Sequence, residues 1–177
     1  FVCFIGCCFY IATAVHAWFG QIWDRDQYQG LDATAFLEKN FAEDASAIRW
    51  LNENVEGNPV VLEANGDSYS DYERVSAMTG LPTILGWYVH EWLWRGGTEE
   101  LNQRIGIVEA VYTSSNRELV KSFLEEYQVG YIFVGRMERE KYENLNENML
   151  KSLGNVVFQD DNSETYILQV DFGASVE

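Results

Sequence analysis

The side chains best suited to chemistry lie close together in one segment of this 177-residue chain. His90 and Glu91 are adjacent, and both side-chain types can transfer protons. Glu63 ends an apolar run, where a carboxylate costs free energy unless it is paired. Arg74 and Arg95 follow, and either guanidinium can pair with Glu63 or hold a phosphate in a bidentate fork. Two interpretations stay open: an internal salt bridge that holds a loop to a strand, or a ligand-contacting site.

Aromatic residues are concentrated in the same segment. Residues 60–96 contain three of the six tryptophans, at positions 87, 92 and 94. Such a cluster forms part of a core, a surface that stacks on sugars, or a belt at lipid headgroups. Tryptophan beside histidine, glutamate and arginine is typical of a boundary between apolar and wet phases. The core interpretation and the two surface interpretations therefore all stay open.

The histidines do not match a known zinc motif. A zincin helix needs histidines at positions i and i+4, but Trp94 stands four residues after His90, and the other histidine, His16, lies in an apolar run. A zinc site built from His90 with Glu63 and Glu91 lacks a recognised spacing. We therefore predict no metal site and no cofactor in this chain.

No motif for nucleophilic or nucleotide chemistry is present either. Ser68, Ser70 and Ser76 lie near His90 in sequence, but the chain has no G-x-S-x-G elbow. It also lacks a P-loop and a G-x-G-x-x-G fingerprint. The sequence therefore identifies no catalytic residue.

Composition restricts the class of protein and of partner. The chain has 12 basic and 28 acidic residues, a net charge of −16 and a pI near 4.4. This charge argues against nucleic acid, whose binding depends on Lys and Arg, and against an anionic lipid surface. A hydrophobic fraction of 47% excludes wholesale disorder. The length fits one folded domain.

The first residues resemble the end of a transmembrane helix. Residues 1–15 are almost wholly apolar, and no charged residue precedes Asp24. A cleaved signal peptide and a buried amphipathic helix are the alternatives, but neither a basic n-region nor a polar face is visible. We therefore expect residues 1–23 to be the end of a membrane helix. We expect the domain that follows to lie outside the cytoplasm, because Arg25 is the only basic residue before Lys39 and cytoplasmic flanks are usually rich in Lys and Arg.

Apolar periodicity predicts the elements that position these side chains. Residues 24–43 form a connector with one short helix, and a helix from Asp44 is stopped by Gly57. Strands are expected at 59–64, 81–85 and 129–134, and a hairpin at 156–158 and 165–170. One helix is expected to begin after Thr98, whose side chain would cap it. Another is expected to begin at a capping box formed by residues 115–118. We predict an α/β domain over residues 44–177, with three layers and a mixed sheet.

Several motifs together resemble the YYY membrane-protein family. They are A-I-x-W-L-N-E-N-V from Ala47, V-V-L-E-A from Val60, S-Y-S from Ser68 and the long run R-V-S-A-x-T-G-L-P-T-x-L-G-W-x-x-H-E-x-x-W-R-G from Arg74. Arg104, the run ending at Tyr112, and Y-I-F-V-G before Glu138 also look similar. The resemblance covers about residues 10–170. The family consists of multi-spanning membrane proteins similar to glycosyltransferases that use lipid-linked sugars.

The resemblance implies a role in recognition rather than in bond breaking. In similar oligosaccharyltransferases the catalytic acids lie in loops between earlier membrane helices, and such loops are not part of this sequence. The chain would then be the extracytoplasmic C-terminal domain, attached to the cell membrane by its N-terminal helix, and any divalent metal would belong to the parent protein. Its substrate-binding residues would contact a lipid-linked sugar or another glycosyl substrate: Glu63, Ser70, Arg74, Ser76, Thr79, Trp87, His90, Glu91, Trp94 and Arg95.

Three hypotheses make different structural predictions. A substrate-recognition domain requires these residues to converge on an exposed cleft. A structural or assembly module of a membrane protein requires them to be buried and paired with one another. An independent soluble hydrolase requires a bound metal or an aligned nucleophile and base.

Overall fold

The structure is a computed structural model and describes residues 8, 10–13 and 34–172. The chain divides into two compact units, Phe1–Ala35 and Phe36–Glu177. In the first unit, residue 8 and residues 10–13 are helical, and Cys8 is an exposed free thiol. The predicted transmembrane segment 1–23 and most of the connector fall outside the described residues. In the part of the chain that is described, no helix has the length and apolar character needed to cross a membrane.

The second unit alternates helices with short strands. In chain order its elements are α1 (Thr34–Asn40, which begins just before the unit), α2 (Ala42–Asn54), β1 (Val60–Leu62), α3 (Arg74–Thr79), α4 (Tyr88–Arg95), α5 (Glu99–Thr113), α6 (Arg117–Glu126), β2 (Val129–Val134), α7 (Arg136–Lys141), α8 (Glu147–Lys151), β3 (Gly154–Gln159) and β4 (Tyr166–Val170).

The four strands form one mixed sheet in the order β1-β2-β4-β3. Strands β1 and β2 are parallel, with Leu62 opposite Ile132. Strand β4 is antiparallel to both β2 and β3, and Phe133 pairs with Ile167. The prediction of an α/β domain with a mixed sheet is confirmed, as are the strand at 129–134 and the closing hairpin.

Apolar helix faces pack against both faces of this sheet. Along β2, Ile132 and Val134 belong to one buried cluster and Phe133 to the other, because successive strand residues point to opposite faces. The first cluster also takes residues from α5, α6 and α8, and the second takes residues from α1, α2 and α3. Helix α3, which begins the motif of residues 74–96, therefore stands beside the end of β1.

The segment 81–85 is not a strand, so that prediction is wrong. Leu81, Ile84 and Leu85 are buried, which accounts for the apolar pattern. The segment runs beside β1 and makes one backbone contact with it, where the Val61 N–H donates to the Pro82 carbonyl at 2.9 Å. Proline has no N–H to return, so the ladder does not continue at that residue.

Two predicted helix caps and one predicted helix start are also corrected. Thr98 makes no side-chain cap, since its backbone is already helical at φ −109° and ψ −9° rather than extended. Helix α6 is capped by Asn116, whose side chain accepts from the Leu119 N–H at 3.2 Å, and not by the box at Ser115 and Glu118. Helix α2 begins at Ala42, two residues before Asp44.

Candidate functional site

One face of helix α4 carries most of the predicted site. Trp87 precedes the helix, and His90, Glu91, Trp94 and Arg95 follow at helical spacing, which places them on one side. All five residues line an open groove of about 870 Å³, called the groove below. No residue of α4 is buried, because this helix covers the groove rather than the core.

The other walls of the groove come from the loop before α3, from α3 itself, from the segment that follows it and, at Phe36, from α1. The polar residues among them are Ser70, Asp71, Tyr72, Glu73, Arg74, Ser76 and Thr83. The groove therefore lies where the chain leaves β1, at the carboxyl end of a parallel strand. Ligands of open α/β sheets commonly bind at such ends.

The indole of Trp87 is fixed in place by a hydrogen bond. Its Nε1–H donates to the carbonyl of Tyr72 at 3.0 Å, which ties α4 to the opposite loop. Its ring lies 5.7 Å from the Tyr69 ring and 5.3 Å from the His90 ring, centroid to centroid. Trp94 is different, since it is 87% exposed. The groove thus has one fixed aromatic wall and one free indole.

Glu91 is held by two neighbours. Its Oε1 accepts from the Gly86 N–H at 3.4 Å, and its Oε2 pairs with the Arg95 guanidinium one helical turn away. Arg95 also reaches Glu100 at 3.8 Å. The side chains of Glu91 and Arg95 are 24% and 42% exposed. The Glu91 carboxylate and the Arg95 guanidinium therefore lie beside each other and are open to solvent. The carboxylate can accept a hydrogen bond from a ligand, and the guanidinium can donate one.

His90 contacts a serine from the loop after β1. Its Nδ1 lies 3.0 Å from Ser68 Oγ, and both side chains are half-buried. Tyr69, the residue next to this serine, packs its ring edge-on against His90 at 5.2 Å. The backbone of Tyr69 is left-handed, at φ 62°. Left-handed backbone at a non-glycine residue is uncommon and often occurs near functional sites.

Arg74 borders the groove but is mainly a structural residue. It is 6% exposed, and its Nε donates to Asp44 at 2.6 Å while its Nη2 reaches Glu138 at 3.4 Å. The guanidinium also lies over the rings of Phe133 and Phe41. These two carboxylates raise the pKa of Arg74 despite its burial. Asp44 and Glu138, rather than Glu63, are thus its ion-pair partners.

Glu63 lies outside the groove lining and caps helix α3. It is 2% exposed, and its two carboxyl oxygens accept from the backbone N–H groups of Val75 and Ser76 at 2.8 and 2.7 Å. These N–H groups belong to the first turn of the helix, where no carbonyl is available to them. Burial raises the pKa of Glu63 to about 7. The acid fixes the start of α3 against the sheet.

The remaining predicted residues have local roles. Ser70 Oγ donates to the Asp67 carbonyl, and Ser76 Oγ donates to the Glu73 carbonyl at 3.2 Å, and both serines line the groove. Thr79 Oγ1 donates to the Val75 carbonyl at 2.7 Å and lies outside the groove lining. Eight of the ten predicted residues therefore line the groove, and Glu63 and Thr79 do not.

Glu73 is a groove residue that the sequence analysis missed. It is 6% exposed and has a left-handed backbone at φ 60°. Its Oε1 accepts from the Gly66 N–H at 2.8 Å, and its Oε2 has no partner among the described residues. Burial raises the pKa of Glu73 to about 8, so the group is largely protonated at neutral pH.

Sequence signals existed for the two missed partners of Arg74. Asp44 precedes Ala47, Ile48 and Leu51 by three, four and seven residues, so it shares the buried face of α2. Glu138 follows Gly135 by three residues and accepts from its N–H at 2.8 Å, which is the glutamate half of a capping box, since glycine has no side chain to complete it. Both patterns place an acid inside the domain.

Within residues 34–172 and the few described before them, no three His, Cys, Asp or Glu side chains are grouped to hold a metal ion. No family model matches the chain, and no curated protein matches it. The resemblance to the YYY family therefore stays a prediction based on its motifs.

Proposed function

We propose that this chain is an extracytoplasmic three-layer α/β domain of a multi-spanning membrane protein, and that its groove recognises a glycosyl ligand. The parent protein would resemble the YYY family and the glycosyltransferases that use lipid-linked sugars. The chain itself would bind substrate without holding the catalytic acid. The observation that supports this proposal is the convergence of Trp87, His90, Glu91, Trp94 and Arg95 on one open groove.

The aromatic residues suit the apolar face of a sugar. The Trp87 indole is fixed by its bond to Tyr72, so it loses little side-chain entropy when a ring stacks on it. Trp94 is exposed on the same helix face and can cover a second ring. Aromatic rings combine a large apolar surface with defined geometry, which matches the flat faces of pyranoses.

The charges of the groove favour a neutral, hydroxyl-rich ligand. The lining carries two acids, Asp71 and Glu91, and two arginines, Arg74 and Arg95, while Glu73 is largely protonated at neutral pH. The lining is thus close to neutral in a chain of net charge −16. A phosphate would gain little here, since each guanidinium already contacts a carboxylate. Sugar hydroxyls can donate to Glu91 and accept from Arg95 without separating that pair.

Binding is tested by titrating the full chain with N,N′-diacetylchitobiose, with glucose 1-phosphate for comparison, while tryptophan fluorescence is recorded. We expect the disaccharide to change the emission and to bind more tightly than the phosphate. Trp94→Ala and Glu91→Gln should each weaken the disaccharide about tenfold, which is roughly the loss of one stacked ring or one charged hydrogen bond.

The matched controls are Leu119→Ala and Glu118→Gln, both on the exposed side of α6. They should leave the affinity unchanged. Equal weakening by the α6 and α4 variants would contradict binding in the groove. A parent enzyme would give a second test, because Glu91→Gln should lower glycosyl transfer about tenfold at limiting substrate while the domain stays folded.

A non-catalytic structural or assembly module is the second candidate. The observation in its favour is the burial of Glu63 and Arg74, which bind backbone and acidic partners inside the domain. This function predicts that variants in the groove impair assembly of the parent protein. It also predicts that neither the native chain nor any variant binds the disaccharide.

A further inference from the structure

We propose that Ser68 and His90 form a nucleophile–base pair that hydrolyses small carboxylic esters. This activity goes beyond glycosyl recognition and does not depend on it. The pair is brought together by tertiary structure, since the two residues are 22 positions apart on the loop after β1 and on helix α4.

The geometry meets the first requirement of such a pair. Ser68 Oγ and His90 Nδ1 are 3.0 Å apart, within the range over which a base takes a hydroxyl proton. With its proton on Nε2, the imidazole accepts from the serine hydroxyl through Nδ1. His90 lines the groove and Ser68 is half-exposed, so a substrate can reach the pair.

The surroundings of the pair hold it in place and favour an acyl group. The rings of Trp87 and Tyr69 lie 5.3 and 5.2 Å from the imidazole, and the Trp87 ring is held by its hydrogen bond to the Tyr72 carbonyl. They also provide an apolar surface for a short acyl chain beside the serine. The loop that carries Ser68 has left-handed backbone at Tyr69 and Glu73, two of the three such non-glycine residues in the described chain. Backbone strain of this kind tends to cluster at active sites.

The reaction would take two steps with water as the only co-reactant. Ser68 Oγ attacks the ester carbonyl carbon and its proton passes to His90 Nδ1; the C–O bond to the alcohol breaks, and the alcohol leaves with that proton. Water then attacks the acyl-serine and gives a proton to His90. The bond between the acyl carbon and Ser68 Oγ breaks, His90 returns the proton to the serine, and a carboxylic acid is released.

The experiment uses the full chain with p-nitrophenyl acetate and with a fluorophosphonate probe, followed by intact-mass and peptide-level mass spectrometry. We expect one phosphonyl adduct, on Ser68, and release of p-nitrophenol. Ser68→Ala should abolish the adduct. His90→Gln should slow labelling about a hundredfold, which is the usual contribution of a general base. Ser122→Ala, an exposed serine hydrogen-bonded within α6, is the matched control and should label normally.

Several outcomes would overturn the proposal. They are absence of a Ser68 adduct, an adduct on another residue only, or equal labelling rates in the native chain and in His90→Gln. A purely structural hydrogen bond would leave Ser68 no more reactive toward the probe than the exposed Ser122 in the same native chain. Labelling of Ser68 no faster than labelling of Ser122 therefore contradicts the proposal even if His90→Gln fails to fold.

Discussion

Arg74 and Glu63 border the candidate site but stabilise the elements around it. Arg74 joins α3 to Asp44 on α2 and to Glu138 on α7. Glu63 joins the end of β1 to the first turn of α3. The sequence predicted that Glu63 and Arg74 either form an internal salt bridge or contact a ligand, because a charge in apolar surroundings needs a partner. It did not identify the partners, since these lie on helices distant in sequence.

The buried acid Glu63 should make stability depend on pH. Its pKa is raised from 4.5 to about 7 in the folded state, so the proton binds more tightly to the folded chain than to the unfolded chain. Its stabilising effect is complete below about pH 4.5 and is lost as pH rises through about 7. Glu63→Gln should flatten the fall in unfolding free energy between pH 5 and 8, by up to about 3 kcal/mol.

Urea unfolding at several pH values measures this dependence. Glu118→Gln, which removes an exposed acid, is the control and should keep the native slope. If Glu63→Gln and the native chain showed the same slope, the raised pKa and the burial that causes it would be incorrect. Glu73, with a pKa of about 8, should supply the remaining slope at higher pH.

At the scale of elements, α4 is the least expected part of the domain. The sequence analysis identified its side chains as a cluster but assigned no helix to them. Read at helical spacing, Trp87, His90, Glu91, Trp94 and Arg95 form one face, and Val89, Trp92 and Leu93 stay exposed on the other sides. Helix α4 has only eight residues, and its apolar residues Val89, Trp92 and Leu93 recur at helical spacing over a single turn, which is too short to identify a helix. The segment 81–85 looked like a strand because it is a short apolar run, and such a run does not distinguish a strand from another buried segment.

Helix α6 offers a direct test of an assigned helix start. Asn116→Ala removes the side-chain oxygen that accepts from the Leu119 N–H, so the helix loses a cap worth about 1 kcal/mol. Ser115→Ala removes the serine of the rejected capping box and should change the unfolding free energy by much less. Thermal or urea unfolding of both variants distinguishes the two starts. A larger loss in Ser115→Ala would favour the capping box instead.

At the scale of the whole molecule, the class of fold was readable and the site was partly readable. Buried strands such as 129–134 are continuous apolar runs, and helices that alternate with strands before a closing hairpin imply a mixed sheet, so the α/β class followed from pattern alone. From the sequence, the groove could be predicted only as a segment, residues 60–96, in which tryptophan stands close to histidine, glutamate and arginine. Its closure around loop 65–73 depends on Trp87, Tyr72 and the left-handed Glu73, which are tertiary details without a sequence period.

The central claim, that the groove binds a glycosyl ligand, is tested most directly by a crystal structure of the full chain soaked with N,N′-diacetylchitobiose. We predict disaccharide density between Trp87 and Trp94, with a hydroxyl within hydrogen-bond distance of Glu91 and Arg95. Density elsewhere on the domain, or an empty groove at a concentration that saturates the fluorescence change, would contradict the claim and favour a structural or assembly module.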